Sequence, residues 1–259
     1  MKLAQVVAAL GFACSVFAGW SAVAEDVPVP APDAAAAHAD SADDLEQSGR
    51  LKQGLDLAGK GSRESAIRDC YDPVIAYYEK TYSDKHRRYF SARSPAEALF
   101  YVLKGAQSKT DTRVVSRNWM EAHFLKGFAL VDLGQLSAAR AEFEAALQLA
   151  PDNSQVRAEM GSLYNRQKEF SKALEAYERA ERDVEFSPAD TQTRDRVRAY
   201  HGLGYAYTEL GQWDNADKMY RKALAVDAND QHALNELRYI QQQRAAHGGV
   251  PVGPANGVP

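Results

Sequence analysis

The sequence predicts an all-α fold assembled as a stack of antiparallel helix hairpins, and three observations carry that expectation. Apolar residues recur at helical spacing through the middle of the chain, and no alternating run is long enough for a substantial sheet. A phrase marked by Gly127, Ala139, Phe143, Ala146 and Pro151 returns at Gly161, Ala173, Tyr177, Ala180 and Glu185, then at Gly204, Ala216, Tyr220, Ala223 and Ala228. The marks also pair small residues, where two helices of a hairpin would cross, with large aromatic knobs that fill the space beside neighbouring helices.

Taken in order, residues 1–24 read as a signal peptide. Lys2 precedes an apolar run from Ala4 to Trp20, and Ala22-Val23-Ala24 presents small residues for cleavage before Glu25. Retention of the segment as an anchor is the alternative. Export to a periplasm is the expectation, with no membrane span after cleavage. The mature chain then has Cys70 alone, so no internal disulfide is expected. Residues 25–46 are Ala, Asp and Pro with few large apolar groups, and are expected to form a disordered acidic spacer. The mature chain holds 30 basic and 35 acidic residues, a net of −5, but residues 47–259 come to +2 because seven acids precede Arg50. A near-neutral folded part argues against nucleic acid as a partner.

Residues 47–116 read as a helical extension, either a degenerate repeat or a separate cap. Asp72-Pro73 requires a kink or a break there. "SPAEALFYVLKGA" opens with a capping box, Ser94 to Glu97, and predicts a helix from Pro95 to about Ala106. Tyr89-Phe90 and Arg113-Val114-Val115 are candidates for a short strand pair. The basic stretch "DKHRRYF" at 84–90 reads first as a solvated turn, with an anion-binding patch for a lipid headgroup, a glycan phosphate or an acidic peptide as the functional alternative.

Three repeats follow, at about 120–153, 154–187 and 197–230, then a closing helix at 231–244 and a Gly/Pro tail at 245–259 expected to be disordered. Gly134 and Gly211 suit helix C-caps. The nine extra residues before the third copy contain Ser187-Pro188-Ala189-Asp190, a helix-start signal, so the insertion is expected to lengthen both flanking helices. The marks resemble the tetratricopeptide repeat. The third copy carries the pattern most fully (Tyr200, Leu203, Gly204, Tyr207, Gly211, Trp213, Ala216, Tyr220, Ala223, Leu224), whereas the first departs at His123 and Lys126. The resemblance implies a right-handed superhelical α-solenoid.

A search for chemistry finds no paired histidines at helical spacing, no phosphate loop, no nucleophile elbow and no cysteine pair. No catalytic residue, metal or cofactor is expected. The resemblance implies a concave groove lined by the first helix of each hairpin. Carried onto this chain it is drawn from Phe124, Phe128, Val131, Asn165, Arg166, Arg198, His201 and Tyr205, extended by Asn235 and Tyr239 on the closing helix. Aromatic, amide and arginine side chains are the types that anchor protein partners. The expected function is a non-enzymatic scaffold or adaptor holding a segment of another envelope protein, with self-association as a further possibility. The alternative is an enzyme or enzyme subunit acting on envelope polymers, to be told apart by whether His86, His123 or His201 meets a carboxylate. A second open question is whether residues 47–116 cover Phe124, Phe128 and Tyr239.

Overall fold

The computed structural model describes residues 41–246. The signal segment, the spacer up to residue 40 and the tail from residue 247 lie outside the described residues. Three hairpins form the predicted repeats: α5 (Arg117–Asp132) with α6 (Leu136–Leu149), α7 (Ser154–Arg166) with α8 (Phe170–Asp183), and α9 (Gln192–Glu209) with α10 (Trp213–Val226). Helix α11 (Gln231–Ala246) closes the stack, burying Ala233, Leu237 and Ile240 against the third hairpin.

The repeat marks act as expected. A Cβ added at Gly127 would sit 2.6 Å from the Phe143 ring, one at Gly161 2.7 Å from the Tyr177 ring, and one at Gly204 2.6 Å from the Tyr220 ring. Each glycine is therefore the socket for the aromatic of its own hairpin, and each ring is essentially fully buried. Such a side chain contributes about 1.5–3 kcal/mol by burial. The turn between the paired helices needs a left-handed residue, supplied by Gly134 (φ 73°), Lys168 (φ 60°) and Gly211 (φ 69°).

The same geometry occurs once more upstream, where the sequence left the choice open. Helix α1 (Ala42–Gly59) pairs with a segment made of α2 (Arg63–Ala66), a π-helical turn (Ile67–Tyr71) and α3 (Asp72–Thr81). Gly61 (φ 85°) takes the left-handed turn, and Ala66, fully buried, takes the crossing position. A Cβ at Gly54 would meet the Tyr71 ring at 2.4 Å. In the other repeats the knob follows its socket by 16 residues; here it follows by 17. The π-helical turn absorbs that one-residue insertion, which is a common origin of such turns. Residues 41–82 are thus a degenerate first repeat, packed through α1 and α3 on α5.

Two boundaries differ from the expectation. Helix α1 starts inside the predicted spacer, because Ser41 caps it by accepting from the Asp44 N–H and the buried Asp44 carboxylate accepts from the Tyr78 hydroxyl at 2.6 Å. The insertion before the third hairpin does not extend α8 as an α-helix. A 3-10 turn (Val184–Phe186) follows α8, Ser187 is buried without capping, and α9 starts at Gln192. Only α9, at 18 residues, is lengthened. Tertiary contacts override the local Ser-Pro signal there, since Phe186 packs on Phe100 at 4.8 Å between ring centres.

Phe100 belongs to an excursion between the first repeat and the α5–α6 hairpin. Strand β1 (Arg88–Ser91), helix α4 (Pro95–Gln107) and strand β2 (Thr112–Val115) form a small βαβ unit, its strands parallel with Arg88 opposite Thr112. Asp72-Pro73 opens α3 at its first turn, directly after the π-helical turn, and does not break the helix.

Candidate partner-binding cleft

The first helices of the hairpins bring six of the predicted groove residues together. Phe128 from α5, Asn165 and Arg166 from α7, and Arg198, His201 and Tyr205 from α9 line an open cleft of about 680 Å³. Phe128 is 47% exposed and Tyr205 43%, so the N-terminal repeat does not cover them. Four predicted residues stand apart. Phe124 is half-buried between Phe128 and Phe143, and Val131 packs into the core. Asn235 accepts from Arg238 at 2.7 Å, and Tyr239, 44% exposed, is outside the cleft.

The cleft also contains residues the groove pattern does not name, among them Glu159, Arg194, Val197 and Gly202. Arg194 sits in the first turn of the lengthened α9, so the insertion itself was the available signal. Gly202 lets α9 approach closely, since a Cβ there would stand 2.1 Å from Tyr177 Cζ. The Tyr177 ring is therefore held between Gly161 and Gly202 and forms part of the cleft floor.

Electrostatically the cleft is basic. Arg166, Arg194 and Arg198 face it with Glu159 as the one carboxylate among its lining residues. Arg198 donates to Glu159 at 2.7 Å. Burial pushes the Glu159 carboxyl above the ordinary range, with Arg198 and Arg166 opposing the rise. Burial likewise raises the Tyr177 phenol. The side-chain oxygen of Asn165 is buried without a hydrogen-bond partner among the described residues.

Two histidines do meet carboxylates, the feature that would favour an enzyme. Both contacts have structural duties. His201 pairs with Asp230, which also accepts from the Ala233 N–H and so caps α11. Burial opposes it, but the Ala233 N–H and His201 hold the Asp230 carboxyl below the ordinary range. His123 bonds Glu142 at 2.7 Å, and Lys126 bridges Glu142 at 2.7 Å to Asp72 at 2.8 Å. Of the two departures from the repeat pattern, Lys126 thus ties the α5–α6 hairpin to the first repeat, and His123 shares its Glu142 partner. His86 meets Asp84 only through its backbone N–H. Among the described residues no three metal-ligating side chains converge. The "DKHRRYF" stretch does more than turn: Arg87, Arg88 and Tyr89 border a second pocket of about 280 Å³ with Trp119 and His123.

Two tetratricopeptide-repeat family models match the chain, one over residues 130–189 and one over 199–234. RNA polymerase II-associated protein 3 of Rattus norvegicus is 23% identical over 167 residues, 62% of this chain and 25% of that protein. The Mus musculus protein of the same name is 26% identical over 172 residues, 61% of this chain and 25% of that protein. The chain thus spans about a quarter of the length of these relatives. Among solved structures, pilF of Pseudomonas aeruginosa is similar at a TM-score of 0.54 and 15% identity, over 79% of this chain and 72% of that one. MamA from Desulfovibrio magneticus RS-1 is similar at 0.50 and 18%, over 78% and 87%. At these identities the structural likeness is one of fold.

Proposed function

Because the chain is a tetratricopeptide-repeat protein, we propose that it is a non-enzymatic scaffold or adaptor that holds a segment of another protein in the cleft between α5, α7, α9 and α11. The observation that carries this reading is the cleft's lining. Phe128 and Tyr205 stand exposed as apolar anchors, and Arg166, Arg194 and Arg198 line the cleft with one carboxylate, Glu159. The surface is preformed on rigid helices, so little ordering cost falls on this side of a complex. The sequence of residues 1–24 supports export, and with it a partner in the cell envelope. The alternative, an enzyme or enzyme subunit acting on envelope polymers, draws on the His201–Asp230 contact, but that carboxylate is already engaged as a helix cap.

The test is crosslinked capture from an envelope extract, with wild type set against the double variant Phe128→Glu, Tyr205→Glu whose melt stays native. A partner retained by wild type and lost by the variant supports the reading. Identical capture by both proteins refutes the cleft as the binding surface.

A further inference from the structure

Helix α4 wears its amphipathic pattern inside out. Its inner face buries Glu97, Tyr101 and Gly105. Glu97 accepts from the Arg93 side chain at 3.2 Å and from the Tyr101 hydroxyl at 3.1 Å, Tyr101 stacks on Phe90 at 4.6 Å, and Gly105 abuts Thr112. Its outer face presents Ala96, Leu99, Leu103 and Ala106 to solvent, with Leu99 57% and Leu103 56% exposed. Charged groups are seldom buried and contiguous apolar stripes seldom left open, so a helix with its carboxylate inside and its leucines outside indicates a further contact.

The segment that carries that stripe is basic. Residues 83–116 hold seven Lys and Arg against three Asp and Glu, a net of +4 in a chain whose net charge is −4. Two of the three acids are already paired, Glu97 with Arg93 and Asp111 with Arg87. Lys85, Arg88 and Lys109 are exposed and have no carboxylate within ion-pair distance among the described residues. Lys104, next to Leu103, shares Asp152 at 3.3 Å and stays half-exposed.

We infer that α4 docks on the surface of an anionic lipid bilayer, with Leu99 and Leu103 entering the boundary of the acyl region while Lys104 and Lys109, on and just after the helix, meet headgroup phosphates. A second copy is disfavoured by charge, because a symmetric contact through α4 would set two +4 segments against each other. A peptide is disfavoured by form: neither cleft includes an α4 residue, and a ridge without walls suits lipids, which rearrange around it. No helix among the described residues is long and apolar enough to cross a membrane, so the contact is interfacial.

The test uses the full chain with Leu103→Trp, mixed with vesicles of equimolar phosphatidylglycerol and phosphatidylcholine or of phosphatidylcholine alone. The apolar run at 4–20 brings its own affinity for lipid, so the readout must be local to α4. Expected is a blue shift of the emission over that of wild type, and quenching of it by bromolipid, in the anionic vesicles, weakened by salt. The Lys109→Gln variant should weaken the response about fivefold, as one interfacial cation does. Leu99→Ser in the same background should weaken it further. No response at position 103, or an equal response in neutral vesicles, overturns the proposal. So does a wild-type dimer in light scattering that Leu99→Ser with Leu103→Ser dissolves, which would assign the stripe to a second copy.

Discussion

Two glycines on one helix provide the sharpest test of the first repeat. Gly49 and Gly54 both lie in α1, where alanine gains up to about 1 kcal/mol of helix propensity over glycine. Their surroundings differ completely. A Cβ at Gly49 meets nothing within 4 Å, whereas one at Gly54 stands 2.4 Å from Tyr71 Cε1, 2.9 Å from Cζ and 3.0 Å from Cys70 Cβ. Tyr71 is 1% exposed, so its ring has nowhere to go without moving α3 or α5. Overpacking of this kind costs about 1–3 kcal/mol. Gly49→Ala should therefore stabilise the protein by about 0.5–1 kcal/mol, and Gly54→Ala should leave it unchanged or destabilise it by up to about 2 kcal/mol. At roughly 2–4 °C per kcal/mol for a chain of this size, the Gly49→Ala midpoint should rise while that of Gly54→Ala stays or falls, separating the two by up to several degrees. Circular dichroism melts under one buffer read this directly, and midpoints are the right quantity because repeat stacks need not unfold in two states. Equal midpoints would refute the assignment of Gly54 and Tyr71 as socket and knob.

Three further outcomes are expected. Lys168→Gly relieves a left-handed backbone at a turn where the flanking repeats use glycine, and should raise stability by about 0.5–1 kcal/mol in urea melts. Asp230 has a folded-state carboxyl held below its unfolded value, so its contribution is present above the unfolded pKa and lost as pH falls through the folded one. Melts of wild type across acid pH should show that loss, and Asp230→Asn should flatten it. Glu142→Gln should cost about 1–3 kcal/mol in chemical denaturation, discounted for the partial exposure of the cluster, because it strips His123 and Lys126 of a shared partner. An unchanged denaturation midpoint there would mean that Asp72 alone satisfies Lys126.

The repeats were legible because their determinants lie close together in sequence. Gly127 and Phe143, Gly161 and Tyr177, and Gly204 and Tyr220 belong to single hairpins, so the pairing of a missing side chain with a ring survives as a spacing. For the first repeat the choice between degenerate repeat and cap stayed open, because one inserted residue moves its knob from Cys70 to Tyr71 and places Val74, not alanine, in the next buried position. In the cleft, Phe128, Arg198 and Tyr205 followed from register. Glu159 and Arg194 did not, since their place depends on how far α9 extends and how tightly it meets α8 at Gly202.

By itself, the amino-acid sequence determined the helical hairpin, its socket and knob, its left-handed turn and the order of the stacked units, because each follows from sterics within a few turns of chain. Only the tertiary structure decided that Phe128 and Tyr205 stay open, that Lys126 links Asp72 to the Glu142 it shares with His123, and that α4 carries Leu99 and Leu103 on its outer face. Those outcomes depend on contacts between residues tens of positions apart, such as Phe100 on Phe186 and Lys104 on Asp152, whose geometry is set by the docking of whole elements and leaves no local pattern in the chain.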